Sequence, residues 1–214
     1  MPCEPSPIGK TRRPDKSESR RTVVEPMGCP TLMSWRRPAM DHDSLYETDI
    51  CAWAEQQAAA LRGFASRVDL PNELDLANIV EEIEDVGNSH FRAVTSFIRL
   101  ILSHTILIAL NADAESVRHW TFEVFTFRGN LIQAWQRSMR QRVDMNIVWR
   151  HAVREAALKL TLYRHSGPAP GDDKIMARLE MGCPFEIDDL CGEAFEFHDL
   201  VDRLRARLTP DGPL

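Results

Sequence analysis

The stretch Leu74 to Leu110, LDLANIVEEIEDVGNSHFRAVTSFIRLILSHTILIAL, decides the fold. In it a long apolar period coincides with a dense cluster of carboxylates. With Ile83 as reference and about 100° per residue, Leu76, Ile79, Val80, Val86, Gly87, His90, Val94, Phe97, Ile98, Ile101, His104 and Ile108 fall on one side of a helix. Glu81, Asp85, Arg92 and Arg99 point the opposite way, and Glu82 and Glu84 flank the apolar side. The phase carries through Gly87, so one helix can run past it. Gly87-Asn88-Ser89 is nevertheless where a kink or an end would fall, because glycine costs roughly 1 kcal/mol against alanine in a helix interior. Asp75 is placed to cap the start.

Outward from this helix, every ordered segment reads as helical. Ser44 to Phe64 has Ser44 as N-cap candidate and Glu47 three residues on, the capping-box spacing. Leu45, Ile50, Trp53, Ala54, Gln57, Ala60, Leu61 and Phe64 form its amphipathic face. Glu115 to Arg142 is the next helix, striped by Val117, Trp120, Val124, Phe127, Leu131, Trp135 and Met139. Asp144 caps a helix from Met145 to Arg164 whose stripe is Trp149, Ala152, Val153, Ala156, Leu160 and Tyr163. Ser166 to Asp173 is a Gly/Pro-rich loop. Lys174–Met181, Ile187–Phe195 and Glu196–Leu208 are shorter helical segments, the first two separated by Gly182-Cys183-Pro184. No segment alternates as a strand. The expected fold is all-α: a bundle of about four main helices, residues 41–214, with short C-terminal helices.

Residues 1–40 differ in kind. They are rich in Pro, Arg and Ser without an apolar period, which predicts a disordered extension. Met40 is an alternative translation start, in which case the preceding residues are not natural sequence. The formal charge of −6 is divided unevenly: +4 in residues 1–40 and −10 in the remainder. An acidic body argues against nucleic-acid binding by the folded part, because neutralising phosphates needs clustered cations. The five cysteines are widely spaced with no Cys-x-x-Cys pair, which predicts free thiols in a reducing, cytoplasmic setting. Ile98 to Leu110 is the most apolar run, but Arg99, Ser103 and His104 interrupt it, and no membrane association is expected.

Three blocks resemble the uncharacterised bacterial family catalogued as domain of unknown function number twenty-nine. They are Leu45-Tyr-Glu-Thr-Asp-Ile-Cys-Ala-Trp-Ala-Glu-Gln-Gln57, Leu74-Asp-Leu-Ala-Asn-Ile-Val-Glu-Glu-Ile-Glu-Asp-Val-Gly87 and Cys183-Pro-Phe-Glu-Ile-Asp-Asp-Leu190. The resemblance implies a compact helical bacterial protein. It carries no established activity, cofactor or catalytic residue.

The chemistry must then be read from the residues. Glu81, Glu82, Glu84 and Asp85 have no Lys or Arg at i+4, and Glu81 and Asp85 repel one another at that spacing. Solvent and cations from neighbouring helices, such as Arg92, Arg118 or Arg128, are one way to offset this. A protein partner with a basic face is another. His104, set in apolar sequence, reads as a hydrogen-bonded core histidine. The sharper alternative is a carboxylate- or metal-dependent enzyme in which Glu82 or Glu84 pairs with His104. Against a metal, no Glu-x-x-His and no His-Glu-x-x-His occurs, although Asp41-His42-Asp43 could hold an ion loosely. Phosphate-loop, nucleophile-elbow and dinucleotide motifs are absent too, so no cofactor is expected. Trp120 fits a core stripe better than a ligand platform. Together these features favour a cytoplasmic interaction or regulatory module, with Glu81, Glu82, Glu84, Asp85, His104 and Trp120 as candidate binding residues. The sequence leaves the oligomeric state open.

Overall fold

The computed structural model describes residues 42–65, 70–110, 114–163 and 171–209, all within the unit Met40–Leu214. Residues 1–40, and with them the expected extension, lie outside the described residues. So do the side chains of 41–44, including the Asp41-His42-Asp43 cluster and Ser44. Among the described residues there are eight α-helices and one 3₁₀ helix, and no strand.

The central helix α3 spans Leu76–Leu110 without a break, which settles the question at Gly87. Before it come α1 (His42–Thr48) and α2 (Ile50–Phe64). After it come α4 (Ala114–Ala134), the 3₁₀ helix Arg137–Gln141, α5 (Met145–Tyr163), α6 (Asp172–Leu179), α7 (Ile187–Cys191) and α8 (Phe197–Leu208). Packed against α3 are α2, α4, α5 and α8. Residues 101–108 of α3 are all buried, hydroxyls and histidine included. A helix turn with no polar face must be enclosed on every side, and four neighbours achieve this. By length and composition α3 would also pass for a membrane span, contrary to the expectation from its interruptions, yet more than half of the qualifying window is buried by protein.

The first half of α3 is different. Between residues 76 and 93 only Val80 and Gly87 are buried. Gly87 lies on α2: a Cβ there would stand 3.2 Å from Ala54 Cβ and 3.5 Å from Cys51 Cα. The Cys51 thiol donates to the Gly87 carbonyl at 3.3 Å. The glycine is therefore a close-approach point between two helices rather than a kink. Its partners Cys51, Ala54 and Ala58 form the buried face of α2. Of the expected face through Leu45, Ile50, Trp53, Ala54, Gln57, Ala60, Leu61 and Phe64, Ala54 is buried, while Ala60 and Phe64 are exposed and Cys51 and Ala58 take their place. Small residues win because the helix axes approach closely.

Several expected boundaries move, among them Ile187–Phe195, which stops as a helix at Cys191. The segment from Ser44 to Phe64 breaks at Asp49, and Ser44 falls inside α1 rather than at an N-cap. Asp49 is the cap instead: its Oδ1 accepts from Ala52 N–H at 2.9 Å. The helix expected through Arg142 ends at Ala134, and Met139 reaches the core from the 3₁₀ helix. Asp144 does cap α5, accepting from Asn146 and Ile147 N–H groups at 2.9 and 3.1 Å.

The block Cys183 to Leu190 clasps the C-terminal helices. Phe185 and Leu190 are buried. Arg203 of α8 donates to the Pro184 carbonyl at 2.9 Å and pairs with Asp189 at 3.0 Å, its guanidinium over the Phe185 ring. Arg128 of α4 donates to the Leu190 and Gly192 carbonyls at 3.2 and 2.9 Å, satisfying acceptors at the end of α7 that lack helical partners.

Candidate functional site

The acidic cluster lies on the open half of α3. Glu81, Glu82 and Asp85 are exposed, and Glu84 is half-buried. Glu84 pairs with Arg62 of α2 at 2.5 Å, and Asp85 with Arg92 at 3.4 Å. Arg92 does supply a cation, but from α3 itself; the cation from a neighbouring helix is Arg62. Arg128 supplies none, being committed to the end of α7. Beside the acids is a hollow of about 580 Å³ lined by Arg62, Ala65, Leu76, Ala77, Val80, Glu81 and Glu84.

On the same half of α3 two large apolar side chains face outward, Ile79 at 37% and Val86 at 42% exposed. The sequence placed both on the hidden flank. They are the sequence neighbours of Val80 and Gly87, the ridge that meets α2, and among the described residues they stay exposed. Stepping round the helix from Ile79 and Val86, the next residue is Glu82, then Asp85 and Glu81. An exposed apolar stripe is therefore bordered along one side by Glu82, with Asp85 beyond it.

His104 occupies the opposite, enclosed half. Its ring is 3% exposed. Nδ1 lies 2.8 Å from the Leu100 carbonyl, which can only accept, so Nδ1 carries the proton. Nε2 then offers a lone pair to Lys159 Nζ of α5 at 3.2 Å. Glu123 Oε2 of α4 stands 3.1 Å from the same nitrogen and 3.4 Å from His119 Nε2. Burial first, and the Lys159 charge second, hold the His104 pKa below its ordinary value; the Leu100 bond and the Glu123 charge pull upward without reversing this. The network continues through Lys159 to Glu155 at 3.0 Å, and Glu155 also pairs with Arg99.

The core reading of His104 holds, and its pairing with Glu82 or Glu84 does not. Those carboxylates lie on the same straight helix, roughly 30 Å away at 1.5 Å per residue. Glu123, Lys159 and Glu155 take their place, and sequence reading missed all three. Only the i,i+4 pairs Glu155–Lys159 and His119–Glu123 were visible locally; the rest requires knowing which helices meet. With so little of the ring exposed, the chemistry that this geometry permits is proton sharing among Lys159, His104 and Glu123. Trp120 is 3% exposed and belongs to the core, so it is no binding platform.

Among the described residues the thiols are likewise quiet. Burial pushes Cys183 up to about 11 and Cys191 up to about 12, away from the thiolate a nucleophile needs. Among the described residues, no three or more His, Cys, Asp or Glu side chains gather so as to hold a metal ion.

His104 supplies a prediction. Its folded pKa lies below the unfolded value near 6.5, so the unfolded chain accepts a proton that the native state resists. The stability tied to the neutral ring is complete above that value and is lost as pH falls through it towards the folded pKa. His104→Ala should cost about 1–2 kcal/mol at pH 7 by leaving the Lys159 end of the network without its acceptor. His104→Gln should flatten the fall in melting temperature between pH 7 and 5. An alanine variant melting with the wild type would remove the support for a core role.

Comparison with known proteins follows the same lines. A family model described as domain of unknown function DUF29 matches residues 45–195. No curated protein matches. A solved structure of an alpha-helical protein of unknown function from Rhodospirillum rubrum is similar at 34% identity with a TM-score of 0.63, covering 78% of this chain and 98% of that one.

Proposed function

This chain belongs to the DUF29 family, and on that premise we propose that it is a cytoplasmic interaction module whose open α3 flank receives an amphipathic, basic helix of a protein partner. The observation that carries this is the stripe of Ile79 and Val86, exposed and bordered along one side by Glu82 and then Asp85. Apolar side chains in a row at helical spacing suit the apolar face of another helix. The carboxylates beside them favour lysine and arginine on that helix and speed its encounter. The enzyme alternative built on Glu82, Glu84 and His104 loses its premise, since those groups do not meet.

A defined probe tests this. A designed helix with leucines on one face and lysines along both edges should bind the full chain and gain helicity on doing so. Its counterpart with glutamates at the edges should not bind. The triple variant Glu81→Lys, Glu82→Lys, Asp85→Lys should weaken the basic helix at least about tenfold while melting as the wild type does. Equal binding by that variant would sink the proposal, as would sedimentation showing a homodimer that already covers Ile79 and Val86.

A further inference from the structure

Helix α4 turns Trp120, Val124 and Leu131 into the core and leaves a second apolar row outside. Phe122 is 72% exposed, Phe125 52% and Ile132 42%. With Gly129, also exposed, they follow one another at steps of three, four and three residues, the spacing of a coiled-coil seam. Phe125 leans on the rings of Phe195 and Phe197, with centroids 6.1 and 5.6 Å away, and still meets solvent over about half its surface.

Gly129 is the unexpected member of the row. Glycine inside a helix costs stability against ordinary residues, and a close approach is what requires it. Gly87 has that reason in Ala54 and Cys51, whereas a Cβ at Gly129 would meet nothing within 4 Å. Gly63 is equally open but falls in the last turn of α2, where a helix is ending anyway. Gly129 lies more than a turn inside α4, and among the described residues nothing asks for a glycine there.

The row is complementary to itself. Two copies of α4 laid antiparallel and crossing at the level of Phe127 bring position 122 of one opposite 132 of the other, and 125 opposite 129. One phenylalanine then meets isoleucine, and the other fills the gap above glycine, as knobs fill holes. A parallel pair would set Gly129 against Gly129 and leave a void. The flanks agree. Thr121, Thr126 and Gln133 beside the row are uncharged, Arg128 is held by the end of α7 and His119 by Glu123. Free charge comes only at the ends. The exposed Arg118 stands in the first half of α4, and the last turn of α4 holds no basic residue. The antiparallel crossing carries Arg118 of one copy to the last turn of the other, where the helix dipole favours a cation. It also carries Glu115 towards the exposed Arg137 that follows that turn.

We infer that the chain pairs with a second copy of itself through antiparallel α4 helices, Phe125 of each copy seated on Gly129 of the other. The seam is narrower than the roughly 20–30 residues a side of a standard interface, which places its dissociation constant in the micromolar range. None of its residues lies on the α3 flank, so this pairing and the docking of a basic helix can fail separately.

Sedimentation equilibrium of the full chain from about 1 to 300 μM should show the mass rising from 24.4 kDa towards twice that value. Phe122→Glu should weaken pairing at least about tenfold. Gly129→Leu divides the readouts. Within one copy its side chain enters open space and improves helix propensity, so at about 1 μM it should melt no lower than the wild type while pairing falls at least about tenfold. For direction, copies carrying Phe122→Cys mixed with copies carrying Ile132→Cys should oxidise to a disulfide between positions 122 and 132, read by peptide mapping. The inference is overturned if the chain stays monomeric up to about 300 μM, if either Phe122→Glu or Gly129→Leu pairs as the wild type does, or if the mixed copies join only like positions. Gly129→Leu melting below the wild type would place the need for glycine within a single copy and overturn it as well.

Discussion

Asp49→Ala is expected to remove about 3 kcal/mol of stability, read by urea unfolding at pH 7, because one side chain holds two elements together. Asp49 caps α2 through Ala52, and its carboxylate also accepts from Ser138 Oγ at 2.7 Å and from Ser138 N–H at 3.0 Å. The 3₁₀ helix is thereby fastened to the start of α2, with Gln136 accepting from Cys51 N–H beside it at 3.1 Å. Alanine would lose the cap and leave both Ser138 donors without their acceptor in a part-buried place. Burial alone would raise the Asp49 carboxyl, but the bonds from the Ser138 side chain, Ala52, the Ser138 backbone and Cys51 together hold it below the usual carboxylate range. A depressed folded pKa contributes stability above the unfolded value near 3.9, lost as pH falls through the folded one. The gap between wild type and Asp49→Asn should therefore close in acid, below about pH 4. If the alanine variant loses under about 1 kcal/mol, the fastening contributes no more than an ordinary cap.

The second large effect is at Gly87. Gly87→Val should cost about 3 kcal/mol, since a branched side chain must part α3 from α2 where Ala54 and the Cys51 backbone already touch the glycine. Gly87→Ala is the informative contrast. Its single methyl meets Ala54 Cβ at 3.2 Å, tight but not prohibitive, and alanine recovers roughly 1 kcal/mol of helix propensity. The alanine variant should stay within about 1 kcal/mol of wild type while valine does not. Thermal unfolding of the pair reads the difference. Valine and alanine melting together would mean that α2 yields freely, and the close approach would be no constraint on the fold.

Much of the architecture was legible because helical periodicity is local. The α3 stripe, the Asp144 cap, the Trp149 stripe of α5 and the last helix all follow from residues within a few turns of one another. Boundaries were less legible. Asp49 sits in a run that looks continuously helical, yet it caps α2 and bonds Ser138, 89 residues later. The candidate site was least legible. Glu123, Lys159 and Glu155 look like ordinary surface charges in their own helices, and only the meeting of α4 and α5 on α3 places them around His104.

The same division holds for the whole protein. The sequence by itself determined that the chain is helical, that Leu74–Leu110 supplies its axis and that acids cluster near one end of it, because backbone propensity and side-chain period act over short distances. Only the tertiary structure decided which part of the apolar stripe is hidden. Packing wraps residues 101–108 on all sides and leaves Ile79 and Val86 in the open. A stripe records which side chains avoid water, and the number of neighbours that arrive to cover it is fixed by contacts far apart in the chain.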